Sequence, residues 1–177
     1  MFENGGYVLP AKDAPTSGGN QAPQNQAKKK KVYPVIPAGQ IVPVEVVQVA
    51  EVPLPEGWIK EEDDTTTEIS FHFKVTSGQW EGTHIWGRTR PWFNWSPKCR
   101  FRLWIQAILG TDDLPEGFRL EPTAEVDRQG RDIKVFHVLD GMRCQVAVDN
   151  YTTKATQELR HIVNNVLPNA QYDENPF

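Results

Sequence analysis

Two cysteines, four histidines and two methionines are all the sulfur and imidazole chemistry these 177 residues hold. Cys99 and Cys144 stand in no metal-type spacing, and His72, His84, His137 and His161 are scattered, so no zinc pattern is present. Glycine-rich phosphate loops and nucleophile elbows are missing as well. The expectation is therefore a protein that is not an enzyme, with no catalytic residue, no cofactor and no metal ligand. No apolar run approaches the roughly 18 residues of a membrane-spanning helix. Nor does an apolar leader core open the chain. With two thiols and no sign of export, the expectation is a reduced, soluble, cytoplasmic protein that does not enter a membrane.

Basic excess is lacking too. The net charge is −4, which excludes a chain that binds nucleic acid through bulk charge. The charges are unevenly placed, however. Residues 1–40 carry five lysines against two acids, while residues 41–151 carry twelve Lys and Arg against eighteen Asp and Glu. Within that acidic region, residues 82–111 hold no carboxylate at all. The centre of this gap is Trp86, Arg88, Arg90, Trp92, Phe93, Trp95, Lys98, Arg100, Phe101, Arg102 and Trp104, six aromatic and five basic side chains in nineteen residues. At physiological salt a charge is felt over about 8 Å, so local composition outweighs the global sum. Cations interleaved with aromatics are what a surface needs to neutralise phosphates and stack bases.

Residues 1–39 are too poor in apolar side chains to offset the entropy of ordering, and predict a disordered basic tail that ends in the lysine run at 28–31. That run is either a solubilising segment or an electrostatic arm. A domain is expected over 40–168 and an acidic tip over 169–177. The β-branched run 41–49 predicts a first strand, with Pro43 implying an edge or a bulge. The acidic stretch through residues 61–64 predicts a solvated loop. Ile69, Phe71, Phe73 and Val75 alternate with polar residues and predict a half-buried second strand. In a third strand over 83–90, Ile85, Gly87 and Thr89 would face inward, leaving His84, Trp86, Arg88 and Arg90 outward beside His72 and Lys74. Ser96 as N-cap and Pro97 at the first turn predict a helix that ends at Gly110, with Phe101, Trp104, Ile105 and Ile108 as its core stripe. Asp127 to Gly130 predicts a turn, and Asp140-Gly141 a hairpin between strands at 134–139 and 142–151. Leu159, Ile162, Val163 and Val166 suit a short C-terminal helix, with a strand as the alternative.

The fold class expected from this order is mainly β, a small five-stranded Greek-key barrel with one helix between strands 3 and 4. It resembles the oligonucleotide/oligosaccharide-binding (OB) fold, in which strands 2 and 3 and adjoining loops form the ligand face. The C-terminus, Asp173-Glu174-Asn175-Pro176-Phe177, resembles the acidic Pro-Phe tip of bacterial and bacteriophage single-stranded-DNA-binding proteins. That resemblance implies a partner-docking role for Asp173, Glu174, Pro176 and Phe177, with replication or recombination proteins as partners. For a phage-encoded chain it implies the host cytoplasm.

The function expected is sequence-nonspecific binding of single-stranded DNA. Lys74, Arg88, Arg90, Lys98 and Arg102 would meet phosphates, and Trp86, Trp92, Phe93 and Trp95 would stack bases. Phe101 and Trp104 belong to the core. Two alternatives stay open: a structural or assembly protein whose aromatic loop forms a subunit interface within a homo-oligomer, and a metal-dependent DNA-processing enzyme.

Overall fold

A computed structural model of the chain describes residues 34–59, 62 and 64–169. The lysine run at 28–31 and the tip residues Asp173, Glu174, Pro176 and Phe177 lie outside the described residues. Within them, the chain is mainly β, with one α-helix. The strands are β1 (Ile41–Pro53), β2 (Thr67–Val75), β3 (His84–Thr89), β4 (Thr123–Val126), β5 (Asp132–Val135), β6 (Arg143–Thr152) and β7 (Leu159–Pro168). The helix α1 (Arg100–Leu109) falls between β3 and β4, as expected. Short 3-10 turns occupy Glu56–Trp58 and His137–Leu139.

The alternation in β2 is realised in full: Ile69, Phe71, Phe73 and Val75 are buried. Each such burial stabilises by about 1.5–3 kcal/mol. β3 follows suit, with Ile85, Gly87 and Thr89 buried and the residues between them exposed. The turn at Asp127 joins β4 to β5, and its carboxylate accepts the backbone N–H of Gln129 at 2.8 Å and of Arg131 at 2.9 Å.

Three expectations are corrected. First, seven strands form, not five, and their ladder is an open antiparallel sheet rather than a closed barrel. The strand β1 is central: it pairs with β2 on one side, and with β6 and then β5 end to end on the other. Pro43 therefore sits in a central strand. Its carbonyl accepts Thr76 N–H at 3.0 Å, beyond the β2 ladder that begins at Val44. The missing proline donor thus leaves no β2 carbonyl orphaned. Second, Asp140-Gly141 turns the chain, with Gly141 at φ 77°, but the flanking strands do not pair with each other. At thirteen residues, β1 is long enough to take both as partners. Third, residues 159–168 form β7 rather than a helix.

The outer strands β3 and β7 of the run β3-β2-β1-β6-β7 approach each other without a backbone ladder. One imidazole spans the seam. The Ile36 N–H donates to His161 Nδ1 at 3.2 Å, which fixes the proton on Nε2, and Nε2 donates to the His84 carbonyl at 3.0 Å. Ile36 is itself fully buried, and its carbonyl accepts from the Asn150 side chain at 2.8 Å. The packed domain thus reaches back past residue 40.

The helix closes the same seam from inside. Its ring Trp104 is 1% exposed, packs edge-on against Phe71 at 5.0 Å and donates from Nε1 to Asn165 at 3.1 Å. Gly87 makes room for it: a Cβ there would lie 2.7 Å from the Trp104 ring and 2.8 Å from the Val163 Cβ. Gly87→Ala is expected to lower stability by about 1–3 kcal/mol through overpacking. A urea midpoint that does not move would show that the helix can retreat.

Candidate nucleic-acid interface

The outward face of β2 and β3 is set by register. His72 opposes Trp86, Lys74 opposes His84, and Ser70 opposes Arg88. The His72 and Trp86 rings stack at 4.4 Å with 9° between planes, and His72 Nε2 lies 2.7 Å from His84 Nδ1. Burial, and then the neighbouring His84, push the His72 imidazole down from 6.5 to about 4. The unfolded chain therefore takes up this proton first. The stabilising contribution of neutral His72 is full above pH ~6.5 and is lost as pH falls toward 4. Urea midpoints between pH 7 and pH 4 should fall less steeply in His72→Gln than in the native chain. Identical profiles would show that His72 does not carry this dependence.

The connection from β3 to α1 is a pinned loop. Asn94 Oδ1 accepts the Ser96 N–H at 3.0 Å, and Ser96 Oγ accepts the Lys98 N–H at 3.3 Å. The Cys99 thiol donates to the Trp92 carbonyl at 2.9 Å. The helix starts at Arg100, so Ser96 and Pro97 do not open it. Instead Cys99 N–H returns to the Ser96 carbonyl at 3.0 Å in a separate turn, and Arg102 donates to that same carbonyl at 3.0 Å. Gly110, left-handed at φ 68°, ends the helix as expected.

This loop, the end of β3 and the β1–β2 connection surround an open groove of about 710 Å³. Arg88, Arg90, Trp92 and Lys98 line it. Cations are matched to rings here: in the groove Arg90 lies over Trp92 at 4.9 Å, and outside its lining, on the same loop and helix, Arg102 lies over Trp95 at 5.4 Å. Such pairs contribute about 0.5–1 kcal/mol each at exposed sites and hold both partners in place. Trp92 is 50% exposed and Trp95 58%.

The remaining expected residues are placed differently. Trp86 and Lys74 share the exposed face but lie outside the groove lining, farther along the sheet. Phe93 turns partly inward, edge-on to Phe101 at 5.3 Å and 6.2 Å from Phe118. It is a prop for the loop more than a free platform. Arg88 is paired with Glu68 at 3.2 Å, so its charge is largely answered in place.

Two groove residues, Trp58 and Glu68, escaped the sequence reading, and Arg100, named in the basic stretch, was not among the expected phosphate contacts. Trp58 is 64% exposed, and Arg88 lies over its ring at 5.8 Å. Its signal was present, since a tryptophan in a long polar loop lacks core neighbours just as Trp92 does. Glu68 had no signal, because only the β2–β3 register brings it diagonally beside Arg88. Arg100, the first helical residue, lines the groove and also lies over the Trp104 ring at 5.8 Å. Among the described residues, no group of three or more His, Cys, Asp or Glu side chains converges to hold a metal ion. No helix among them is long and apolar enough to cross a membrane.

No protein-family model matches this chain, and no curated protein matches it in sequence.

Proposed function

We propose that this protein binds single-stranded DNA without regard to overall sequence, in replication, recombination or repair. It acts by phosphate neutralisation and base stacking, without catalysis or a cofactor. The observation that carries this reading is the open groove in which Trp58 and Trp92 stand among Arg88, Arg90, Lys98 and Arg100. A backbone tracked by cations and bases laid on rings is the general chemistry of single-strand binding. The architecture supports it. A curled antiparallel sheet with a helix after its third strand is OB-like, and there the strand 2–3 face and the β1–β2 connection bind the ligand. Trp58 lies on that connection. Docking of replication or recombination proteins at the Pro-Phe tip, phage origin and a cytoplasmic location belong to the same proposal.

Oligo-dT should quench tryptophan emission on titration. Four cations, Arg90, Lys98, Arg100 and Arg102, give a slope of log K against log salt of about −3, at ~0.7 per phosphate contact. Tighter binding to duplex than to single strand, or no salt dependence, would defeat the proposal. The exposure of Trp58, Trp92 and Trp95 favours one second reading, a self-association surface. Concentration-dependent dimerisation without any oligo-dT quench would select it. Metal-dependent cleavage of the oligomer would instead mark an enzyme.

A further inference from the structure

In a groove that attracts phosphates, one residue has the wrong sign. Among the described residues that line it, Glu68 is the single carboxylate, set against Arg88, Arg90, Lys98 and Arg100. It is no rim residue. Its side chain is 13% exposed, against 48% for Arg88. Burial raises its pKa above 4.5, with Arg88 pulling the other way. A carboxylate here repels each phosphate that passes. It also answers the charge of Arg88, so the middle of the groove is a poor phosphate site.

What the pair offers instead is an acceptor beside a donor. Arg88 Nη1 lies 3.2 Å from Glu68 Oε1. A guanidinium has five N–H donors and a carboxylate about four lone-pair positions, so both partners keep hydrogen-bonding capacity. The ring of Trp58 lies beneath the guanidinium at 5.8 Å, and Trp92 lines the same groove with Arg90 over it at 4.9 Å. A base stacked beside the Trp58 ring would bring its edge toward this donor–acceptor pair.

Resting on the strand-binding reading above, we propose that Glu68 and Arg88 form a base-edge subsite selective for guanine. The Watson–Crick edge of guanine carries two adjacent donors, N1–H and N2–H, that match the two oxygens of a carboxylate. Next to them O6 accepts from a guanidinium. Thymine sets its one N–H between two carbonyl oxygens, which a carboxylate repels. Adenine and cytosine each give a single amino group. The subsite grades affinity at one position of a strand whose other contacts are indifferent to sequence.

The test uses the full chain and dT 12-mers that carry one central dG, dI, dA, dC or dT, titrated by tryptophan fluorescence. The dG strand should bind about tenfold tighter than all-dT, within the discrimination a bidentate base contact gives. Inosine lacks the N2 amine and should lose roughly half of that gain on a log scale. Glu68→Gln should erase the preference while holding all-dT as tightly as the native chain or tighter. Equal native affinity for the five strands, with all of them bound, overturns this proposal and leaves strand binding standing. So does a Glu68→Gln chain that weakens dT and dG strands alike, since Glu68 would then only orient Arg88. No binding to any of the five removes the strand-binding reading and this one with it. Should Glu68→Gln fail to fold, the native dG, dI and dT comparison decides by itself.

Discussion

Trp104→Ala is expected to lower the stability of the domain by about 3–5 kcal/mol, the range for deleting a buried large aromatic. Domains of this size have roughly 5–15 kcal/mol in total, so the loss is a large share of the whole. Three contacts fail together. The ring fills the space that Gly87 leaves between β3 and β7, packs edge-on with Phe71, and satisfies Asn165 through Nε1. Gly87 has no side chain to refill the hole. Trp104→Phe should cost clearly less, since a ring remains and Asn165 Oδ1 still accepts the Val166 N–H at 3.0 Å. Urea unfolding of both variants measures this. A Trp104→Ala chain within about 1 kcal/mol of the native one would mean that the helix does not brace the seam.

Removing the two outer loop tryptophans should do the reverse, sparing the fold and losing the ligand. Trp92→Ala and Trp95→Ala are each expected to weaken binding to oligo-dT by about 1–3 kcal/mol, and the double variant by at least about thirtyfold. The melting temperature should hardly move. Both rings are half exposed or more, and the loop is held by its backbone and polar side chains, such as the Cys99 thiol on the Trp92 carbonyl. Phe93→Ala is the informative contrast. Its ring props the loop against Phe101, so it should lower both stability and affinity. If Trp92→Ala and Trp95→Ala melt the protein as Trp104→Ala does, these rings are core and the ligand face lies elsewhere.

What could be read without the structure was whatever lies within one or two turns of chain. The inward set of β2 and the outward set of β3 followed from a period of two, because a strand with one wet face must alternate. The β7 segment shows how that logic breaks. Ala147 opposes Asn165 but Val148 opposes Val163, so Asn164 is an extra residue, a bulge that puts two inward valines three positions apart. A spacing of three is also a helical spacing, and only pairing with β6 separates the two.

The candidate site divides along the same line. The sequence by itself determined that a basic, aromatic, acid-free stretch exists, that β3 turns Trp86 and Arg88 outward, and that Phe101 and Trp104 turn inward. Those are matters of composition and periodicity, fixed by covalent neighbours. The tertiary structure alone decided which of these residues share a groove. Trp58 arrives there from a connection some thirty residues upstream of Arg88, and Glu68 from a neighbouring strand. Phe93, though exposed, turns its ring toward Phe101 and out of the groove lining. Distances between side chains far apart in sequence depend on register and on how the sheet curls, and no local pattern encodes either one.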